Sequence, residues 1–319
     1  CKLVHMYYFG HVVNAGKGSP SGGIYFDFSR FTDEQIDEMF EAVMNHFDGF
    51  YKHGYYHGES IIDFRDLAKK KRRVEVGLTS EYSVGGIFVD ENMFTGVPGL
   101  YAAGEAASGV FGANRVADAV TEMLVQGYKA GEVAAARASE QTRVASDDAA
   151  IERAVGVLEK LLSNQGGIAV SEAIDRLGEI SDKALGMVRN ETTLRAGVEA
   201  FETLGAEMDG ISLRGKSLRY NRELMQALAA RNLLACSRVA AKMALERRES
   251  RGLHLRDDYS YIDNENWQVR QLAELVNGED KLSKKVPVVT RIPLRKAEKI
   301  DYESFILEED LGMKNMEES

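Results

Sequence analysis

Two side chains that could do chemistry, Glu105 and Arg115, flank a glycine-rich loop. Glu105 follows residues 100–103, an apolar run typical of a strand buried inside a sheet, so its carboxylate is expected where that strand ends. Arg115 is expected at the start of a helix, where unpaired backbone N–H groups attract anions and a guanidinium can hold a carboxylate or phosphate with two hydrogen bonds. The spacing fits a shared anion-binding crevice, and it fits an ordinary strand–loop–helix unit with surface charges equally well.

The elements that would position these side chains follow from the hydrophobic pattern. Residues 74–78 and 87–89 are typical of strands, and apolar residues recur at helical spacing from about 113 to 139. Ligands of α/β folds bind in the crevice outside the carboxyl ends of the strands. We therefore expect Glu105 and Arg115 to face one crevice at that edge of a sheet.

Residues 1–60 are rich in aromatic side chains and have a pattern of their own. Residues 23–28 alternate like a strand. Thr32 then precedes an acidic first turn, and apolar side chains at helical spacing predict an amphipathic helix that reaches Phe47. These residues are expected to form a small module distinct from the rest of the chain.

From about residue 147 the pattern changes to long amphipathic helices. The candidates cover 148–164, 169–189, 192–208 and 221–249, and no further strand is expected before residues 286–293, where an edge strand is predicted. Successive helices with short connections pack as antiparallel neighbours, so an antiparallel helical bundle is expected.

Four stretches of the chain carry a family resemblance. They are EYSVGGI at 81–87, VPGLYAAGE at 97–105, GVFGANR at 109–115 and SRGLHLRDDYSYIDNENW at 250–267. Between about residues 20 and 295 the chain resembles the second half of the flavoprotein subunits of succinate dehydrogenase and fumarate reductase, a family that includes aspartate oxidase and adenylylsulfate reductase. The first three motifs occur in that family in this order and spacing, which makes the resemblance specific.

The resemblance implies an α/β plus all-α fold in four parts. They are a capping-domain remnant (1–73), the C-terminal part of a Rossmann-like FAD-binding domain (74–143), an antiparallel helical bundle (144–252), and an extension (253–319) that packs on the other domains and ends in an acidic tail. The implied cofactor is FAD. The implied partners are a small anionic substrate and an iron–sulfur electron-transfer subunit.

The resemblance also implies roles for residues of this sequence. Gly104 and Glu105 match the family's Ala-Gly-Glu motif, whose glutamate holds the ribityl chain of the flavin. Arg115 matches the catalytic arginine, which grips a substrate carboxylate. Val120 and Thr121 stand where the family usually has Ser and Leu, whose backbone groups contact the flavin ring, so a backbone contact can survive here while a serine hydroxyl cannot.

Glu81 and Gly86 match positions that line the family's substrate site. The dicarboxylate enzymes have a histidine where this chain has Glu81, and that histidine binds the second carboxylate of the substrate. A glutamate there would repel a carboxylate, so charge argues against succinate and fumarate unless Glu81 is protonated or turned away.

The nucleotide-binding half of the family has no match in this sequence. No G-x-G-x-x-G turn follows a predicted strand, the Arg-Gly-Glu-Gly motif of the family's proton-shuttling arginine is absent, and the chain begins with Cys1. A truncated or partial gene product is expected, with a lipoprotein cysteine as the alternative. Two functions stay open: an FAD-dependent oxidoreductase subunit, and a noncatalytic fragment or interaction module that does not bind FAD by itself.

Composition narrows the partners and the location. The formal net charge of −10 argues against a nucleic-acid partner. No apolar run is long enough to span a membrane and no signal peptide is visible, so a cytoplasmic protein is expected, with any membrane attachment made through a partner. Cys1 and Cys236 lack metal-ligand spacing, and no metal site is expected.

Residues 210–217 fit the phosphate-loop pattern G-x-x-x-x-G-K-S, but helical periodicity precedes them, which favours a turn between two helices. His53 and His57 have the spacing of a metal site on a helix, yet Gly54 and Gly58 interrupt any helix and favour a solvated loop.

His254 lies between Arg251 and Arg256 in the C-terminal motif. The three basic groups could line the approach of an anionic ligand, or they could tie the bundle to the flavin domain. The structural role is favoured.

Overall fold

The computed structural model describes residues 2–46, 55–57, 60–62, 64–78, 83–108, 119–140, 146–277, 279–285, 300–301 and 303. The chain divides into two compact units, one formed by Tyr8–Glu81 and the other by Cys1–Tyr7 together with Tyr82–Ser319. Helices and sheets both occur among the described residues, so the predicted mixture of the two is confirmed.

The N-terminal part of the chain alternates between helices and short strands. In chain order the elements are α1 (Lys2–Asn14), β1 (Ile24–Asp27), α2 (Asp33–His46), β2 (Tyr55–His57), β3 (Ser60–Ile62), α3 (Phe64–Lys71) and β4 (Arg73–Val76). β1 pairs with β4 and β2 pairs with β3, both in antiparallel fashion. The strand predicted at 23–28 is confirmed with shorter limits, and the one predicted at 74–78 is confirmed one residue earlier, as Arg73–Val76.

Helix α2 begins where the sequence predicts. The N–H of Thr32 donates to the Gln35 side chain at 2.9 Å, and the N–H of Gln35 donates to the Thr32 hydroxyl at 3.3 Å, which closes a capping box. Ile36 of α2 is fully buried, and Lys69 of α3 pairs with Asp37 of α2 at 2.5 Å. The cap and the buried face therefore account for the position of α2 against α3.

The C-terminal part of the chain is dominated by longer helices. Its elements are α4 (Ala119–Glu140), α5 (Asp148–Ser163), α6 (Val170–Leu185), β5 (Val188–Arg189), α7 (Glu191–Met208), α8 (Arg222–Glu246), β6 (Leu255–Arg256), β7 (Tyr261–Ile262), α9 (Asn264–Trp267), β8 (Arg270–Val276), β9 (Glu279–Lys285) and β10 (Ile300–Asp301). The helices predicted between 148 and 249 are confirmed as α5 to α8. None of the described helices is both long enough and apolar enough to cross a membrane.

Helices α6, α7 and α8 pack on one another around the main hydrophobic core. Asn190 and Asn221 cap α7 and α8, because each side chain accepts a backbone N–H from the first turn of its helix. A Cβ added to Gly197 would lie 2.2 Å from the Cβ of Ala184, so α6 and α7 approach closely at that point. The side chains of this core include Leu161, Leu177, Phe201, Leu204, Met208 and Ile211, all essentially inaccessible to solvent.

The region after α8 contradicts the expectation that no strand precedes residue 286. β8 and β9 form an antiparallel hairpin whose register runs from Arg270↔Lys285 to Val276↔Glu279. Asn277-Gly278 is the dipeptide typical of a two-residue hairpin turn, and Asn277 has a φ of 53°. The alternation of apolar and polar residues that predicts a strand is missing from residues 279–285, because this strand is largely exposed and mostly charged.

The strands predicted at 87–89 and 100–103 are wrong as sheet strands. Ile87 makes a single parallel bridge to Ala107, and Tyr101 makes a single antiparallel bridge to Phe94. Leu100 is 48% exposed, so the apolar run is not buried inside a sheet. Within the described ranges no further strand lies beside either run, so neither belongs to a ladder. The edge strand predicted at 286–293 lies outside the described residues.

Candidate functional site

The Glu105 carboxylate lies on a tight turn. Residues Gly104–Ala106 form a 3-10 turn, and Oε1 of Glu105 accepts the backbone N–H of Ser83 at 2.6 Å. The Glu105 side chain is exposed, and no group within the described ranges bonds to Oε2. Glu105 therefore stands on a turn and not at the end of a sheet strand, with one oxygen fixed and the other open to a hydroxyl donor.

Two backbone segments meet beside this turn. The N–H of Ile87 donates to the carbonyl of Ala106 at 2.9 Å, and the N–H of Ser108 donates to the carbonyl of Ile87 at 2.7 Å. A Cβ added to Gly86 would lie 2.6 Å from the carbonyl carbon and oxygen of Ala107. Only glycine fits there, because backbone atoms cannot move aside as a flexible side chain can. The structure thus brings Gly86 close to the turn that carries Glu105.

A buried polar contact fixes this turn to α4. Gly104 has a φ of 68°, in the left-handed region that favours glycine. Its N–H donates to Oε1 of Gln126 at 2.8 Å, and Nε2 of Gln126 donates to Oε1 of Glu122 at 3.0 Å. Both α4 side chains are buried. The sequence does not single out either residue, although two polar residues one helical turn apart can form such a pair.

Of the other predicted site residues, two lie on α4 and two lie outside the described residues. Val120 and Thr121 lie in the first turn of α4 as described, with exposed side chains. The Gln126 contact holds α4 against the Gly104 turn, so the predicted cofactor residues share one region of the unit. The predicted catalytic Arg115 and the predicted substrate residue Glu81 lie outside the described residues.

Arg256 of the C-terminal motif is buried and makes its contacts within the protein. It is only 2% exposed, and its guanidinium donates to both carboxylate oxygens of Asp258 at 2.7 and 2.6 Å. The same group donates to the carbonyls of Ala244 and Leu245, at the end of α8, at 2.9 and 3.2 Å. Oδ2 of Asp258 also accepts the N–H of Glu191, the first residue of α7. Arg256 and Asp258 therefore tie this segment to α8 and α7.

Glu249 is a fully buried carboxylate with two arginine partners. Arg251 donates to its two oxygens at 2.8 and 3.0 Å, and Arg247 donates to Oε1. The N–H of Asp263 donates to Oε2 at 2.8 Å. These contacts satisfy the carboxylate within the fold, so Arg251 serves the structure here and does not line an anion path.

His254 is held in its neutral form by its neighbours. Its Nε2 faces the carbonyl of Arg247 at 3.2 Å, which requires a proton on Nε2, and its Nδ1 then accepts from Nη1 of Arg189 at 3.2 Å. Burial lowers the pKa of His254 to about 3, and the charge of Arg189 adds to the effect. Burial also lowers the pKa of Arg189, to about 10. The structural interpretation of His254 is therefore favoured over a ligand site.

The neutral His254 predicts a loss of stability at mildly acidic pH. The folded pKa lies below the value of 6.5 expected of an unperturbed ring, so the unfolded chain takes up the proton first and stability falls as pH decreases from about 6.5 toward 3. Between pH 7.5 and pH 5.5 this group alone should remove about 1.4 kcal/mol from the free energy of unfolding. Urea unfolding at both pH values should show this part of the decrease in the wild type and not in His254→Gln. Equal decreases in the two proteins would contradict the assignment.

The phosphate-loop pattern at 210–217 lies between α7 and α8 and follows a helix, so the predicted helix-to-helix turn is confirmed. Nζ of Lys216 donates to the carbonyl of Asn164 at 2.8 Å, which uses the lysine that a phosphate site would need. The turn is further held by Asn221, whose side-chain amide donates to the carbonyls of Gly215 and Ser217 at 2.8 Å.

The paired histidines do not form a described site. His53 lies outside the described residues, and His57 belongs to β2, which pairs with β3, so the loop expected there contains a short hairpin. In the part of the chain that the structure covers, no group of three or more His, Cys, Asp or Glu side chains could hold a metal ion.

Two family models match separate parts of this chain. Residues 9–118 match the one described as FAD binding domain, and residues 174–302 match the one described as Fumarate reductase flavoprotein C-term. The chain belongs to the fumarate reductase and succinate dehydrogenase flavoprotein family. The first match covers Gly86, Gly104 and Glu105, and it confirms FAD as the predicted cofactor.

Similar members of this flavoprotein family come from several organisms. The chain is 34% identical over 196 residues to the fumarate reductase flavoprotein subunit of Haemophilus influenzae, over 60% of this chain and 33% of that protein. It is 31% identical over 218 residues to the fumarate reductase flavoprotein subunit of Helicobacter pylori, over 67% of this chain and 30% of that protein. The chain therefore spans less than half the length of these flavoproteins.

A solved structure of the family shares the fold. Mycobacterium smegmatis Sdh1, in a structure described as a complex with UQ1, is 28% identical, with a TM-score of 0.76 over 89% of this chain and 46% of that chain. The residues around Glu105 also fit the cofactor of this flavoprotein family. An exposed carboxylate with one open oxygen can accept a hydroxyl of the ribityl chain. Gly86 and Gly104 allow the close backbone packing around it, because a Cβ at Gly86 would meet the Ala107 backbone and one at Gly104 would lie 3.2 Å from Cγ of Met123.

Proposed function

We propose that this chain contributes to an FAD-dependent oxidoreductase subunit that transfers hydride between the flavin and a small anionic substrate. The observation that carries the proposal is the Glu105 carboxylate. It is fixed by the N–H of Ser83 at 2.6 Å beside the tight Gly86–Ala107 contact, inside the range that matches an FAD binding domain. A fixed carboxylate loses little conformational entropy when it accepts a further hydrogen bond.

The proposed roles divide the site between cofactor and substrate. Glu105 accepts a ribityl hydroxyl at its open oxygen, Gly104 lets the turn approach the cofactor, and the backbone groups of Val120 and Thr121 face the ring. Bound FAD supplies a centre that accepts or donates hydride. Arg115 holds a substrate carboxylate and stabilises the charge that develops during transfer.

On the substrate side of the site, the proposed residues are Gly86 and Glu81. Gly86 lets its segment pack directly on the backbone of Ala107, beside the turn that carries Glu105, because a Cβ at Gly86 would lie 2.6 Å from that backbone. Glu81 provides a negative charge where a second substrate carboxylate would lie, so the proposed substrate carries a single anionic group on the Arg115 side.

The proposal extends to the fold and the partners. Residues 1–73 are proposed as the capping part, 74–143 as part of the FAD-binding domain, 144–252 as the antiparallel bundle, and 253–319 as an extension. An iron–sulfur electron-transfer subunit is the proposed protein partner. The cytoplasmic location, with membrane attachment through that partner, stays a prediction.

The test is an FAD titration of the 319-residue chain, followed by flavin absorbance and fluorescence. Wild type should bind FAD, and Glu105→Ala should bind it about 10- to 100-fold more weakly, because a hydrogen bond to a charged group contributes about 1.5–3 kcal/mol. Glu91→Ala is the matched control, since Glu91 is exposed on a nearby turn, and it should bind like wild type.

A folded wild-type chain that ignores FAD would instead support the alternative, a noncatalytic fragment or interaction module. Equal affinities of wild type and Glu105→Ala would leave FAD binding in place but remove the role given to Glu105.

A further inference from the structure

We propose that Lys285, at the end of β9, is a positioning residue for the flavin site and acts through Phe88. The inference rests on the proposed function, because residues 86–88 matter in this way only if flavin binds beside them. Nζ of Lys285 lies 4.4 Å from the centroid of the Phe88 ring. At that distance a cation is attracted by the negative face of an aromatic ring.

Phe88 is directly connected to the backbone that forms the site. Its neighbour Ile87 exchanges hydrogen bonds with Ala106 and Ser108 at 2.9 and 2.7 Å, and Gly86 abuts the backbone of Ala107. These contacts join residues 86–87 to the turn that carries Glu105, and Phe88 follows them directly in the chain, so a contact that fixes the Phe88 ring adds to the restraint on residues 86–87. A contact that fixes the Phe88 ring therefore helps to fix this part of the site.

The preceding residue anchors the other face of β9. Nζ of Lys284 lies 3.5 Å from the centroid of the Trp267 ring, which is buried and also faces the Arg247 guanidinium at 5.2 Å. Successive side chains of a strand point to opposite faces. With Lys284 fixed over Trp267, Lys285 is directed to the opposite face, where Phe88 lies. The hairpin thus links the end of the bundle to the flavin site.

The contact acts on the fraction of molecules in which residues 86–88 are arranged for binding. If the contact is lost, part of the population leaves that arrangement, and the apparent dissociation constant of FAD rises in inverse proportion to the fraction that remains. One exposed cation–π contact changes such an equilibrium by about three- to fivefold.

The experiment measures the FAD dissociation constant of the full chain by flavin fluorescence. Lys285→Met, which keeps an unbranched stem and removes the charge, should raise the constant about three- to fivefold. Lys285→Arg should restore it, because a guanidinium also binds an aromatic face. Lys281→Met is the matched control, an exposed lysine on the same strand, and should behave like wild type. The unfolding temperatures of the FAD-free proteins should agree.

A second variant tests the route through Phe88. In a Phe88→Leu background, Lys285→Met should cause no further loss of FAD affinity, since the ring that it contacts is gone. Equal affinities of wild type and Lys285→Met, or a loss that Lys285→Arg does not restore, would overturn the inference and leave the proposed function intact. A wild-type chain that binds no FAD would overturn the proposed function, and the inference with it.

Discussion

FAD binding is expected to be severely weakened when Gly86 is replaced by alanine. The added Cβ would lie 2.6 Å from the carbonyl carbon and oxygen of Ala107 and 2.7 Å from the carbonyl oxygen of Ala106. Because these atoms are all backbone, relief requires the hydrogen bonds between Ile87 and its partners to open. Overpacking of this kind costs roughly 1–3 kcal/mol, or about a 5- to 100-fold loss of affinity. An FAD titration of Gly86→Ala measures it directly.

Gly85→Ala is a closely matched control. Among the residues that the structure describes, nothing lies within 4 Å of a Cβ added at Gly85, although the two glycines are adjacent in the chain. This variant should bind FAD like wild type and should unfold at the same urea concentration. If both alanine variants bind FAD equally well, the close approach at Gly86 has no part in the cofactor site.

The largest loss of stability is expected for Glu249→Ala. This change leaves the guanidinium groups of Arg247 and Arg251 without their buried counter-charge and deprives the Asp263 N–H of its acceptor. Removing one member of a buried ion pair costs about 3–5 kcal/mol. The two arginine side chains are 14% and 26% exposed, so water can reach them and the lower end, about 3 kcal/mol, is expected. Urea unfolding at neutral pH measures the difference.

Glu265→Ala provides the comparison for this prediction. Glu265 is an exposed acid in the same C-terminal segment, and its replacement should change the free energy of unfolding by less than about 0.5 kcal/mol. Glu249→Gln should fall between the two, because the amide oxygen still accepts a hydrogen bond after the charge is removed. A loss below about 1 kcal/mol for Glu249→Ala would show that the arginines find other partners or water.

Helices α5 to α8 could be predicted because local signals and packing agree there. The sequence pattern predicts a helix over 192–208, and the structure has α7 at Glu191–Met208, where Asn190 provides the cap and Phe201 enters the core. The capping residue and the pattern of apolar residues both indicate the same helix. The agreement is similar at α2, whose capping box at Thr32 marks its start.

The sheets could not be predicted as well, because the pattern of one segment does not show which segment lies beside it. Residues 100–103 are apolar as a buried strand would be, yet within the described ranges Tyr101 bridges to Phe94 alone and Leu100 is exposed. The β8–β9 hairpin shows the opposite case. Strand β9 is polar and both strands are largely exposed, so the turn at Asn277 is the clearest sequence signal of the hairpin.

The sequence predicts those residues of the candidate site that belong to recognisable motifs. It does not predict contacts between side chains that are distant in the sequence. The positions of Gly86 and Glu105 follow from motifs, and the structure places them near each other. The contact between Gly104 and Gln126 joins residues that are distant in sequence, and a buried glutamine in a helix has the same letter as an exposed one. Such long-range side-chain contacts can be identified only from a three-dimensional structure.

The position of Arg256 has a consequence for how this protein unfolds. The last turn of an α-helix leaves carbonyl groups without partners inside the helix, and in α8 the carbonyls of Ala244 and Leu245 receive theirs from the Arg256 guanidinium. The same residue is paired to Asp258, which holds the first N–H of α7. We therefore expect the end of α8, the start of α7 and residues 250–263 to open together as one cooperative unit, so that none of the three frays alone.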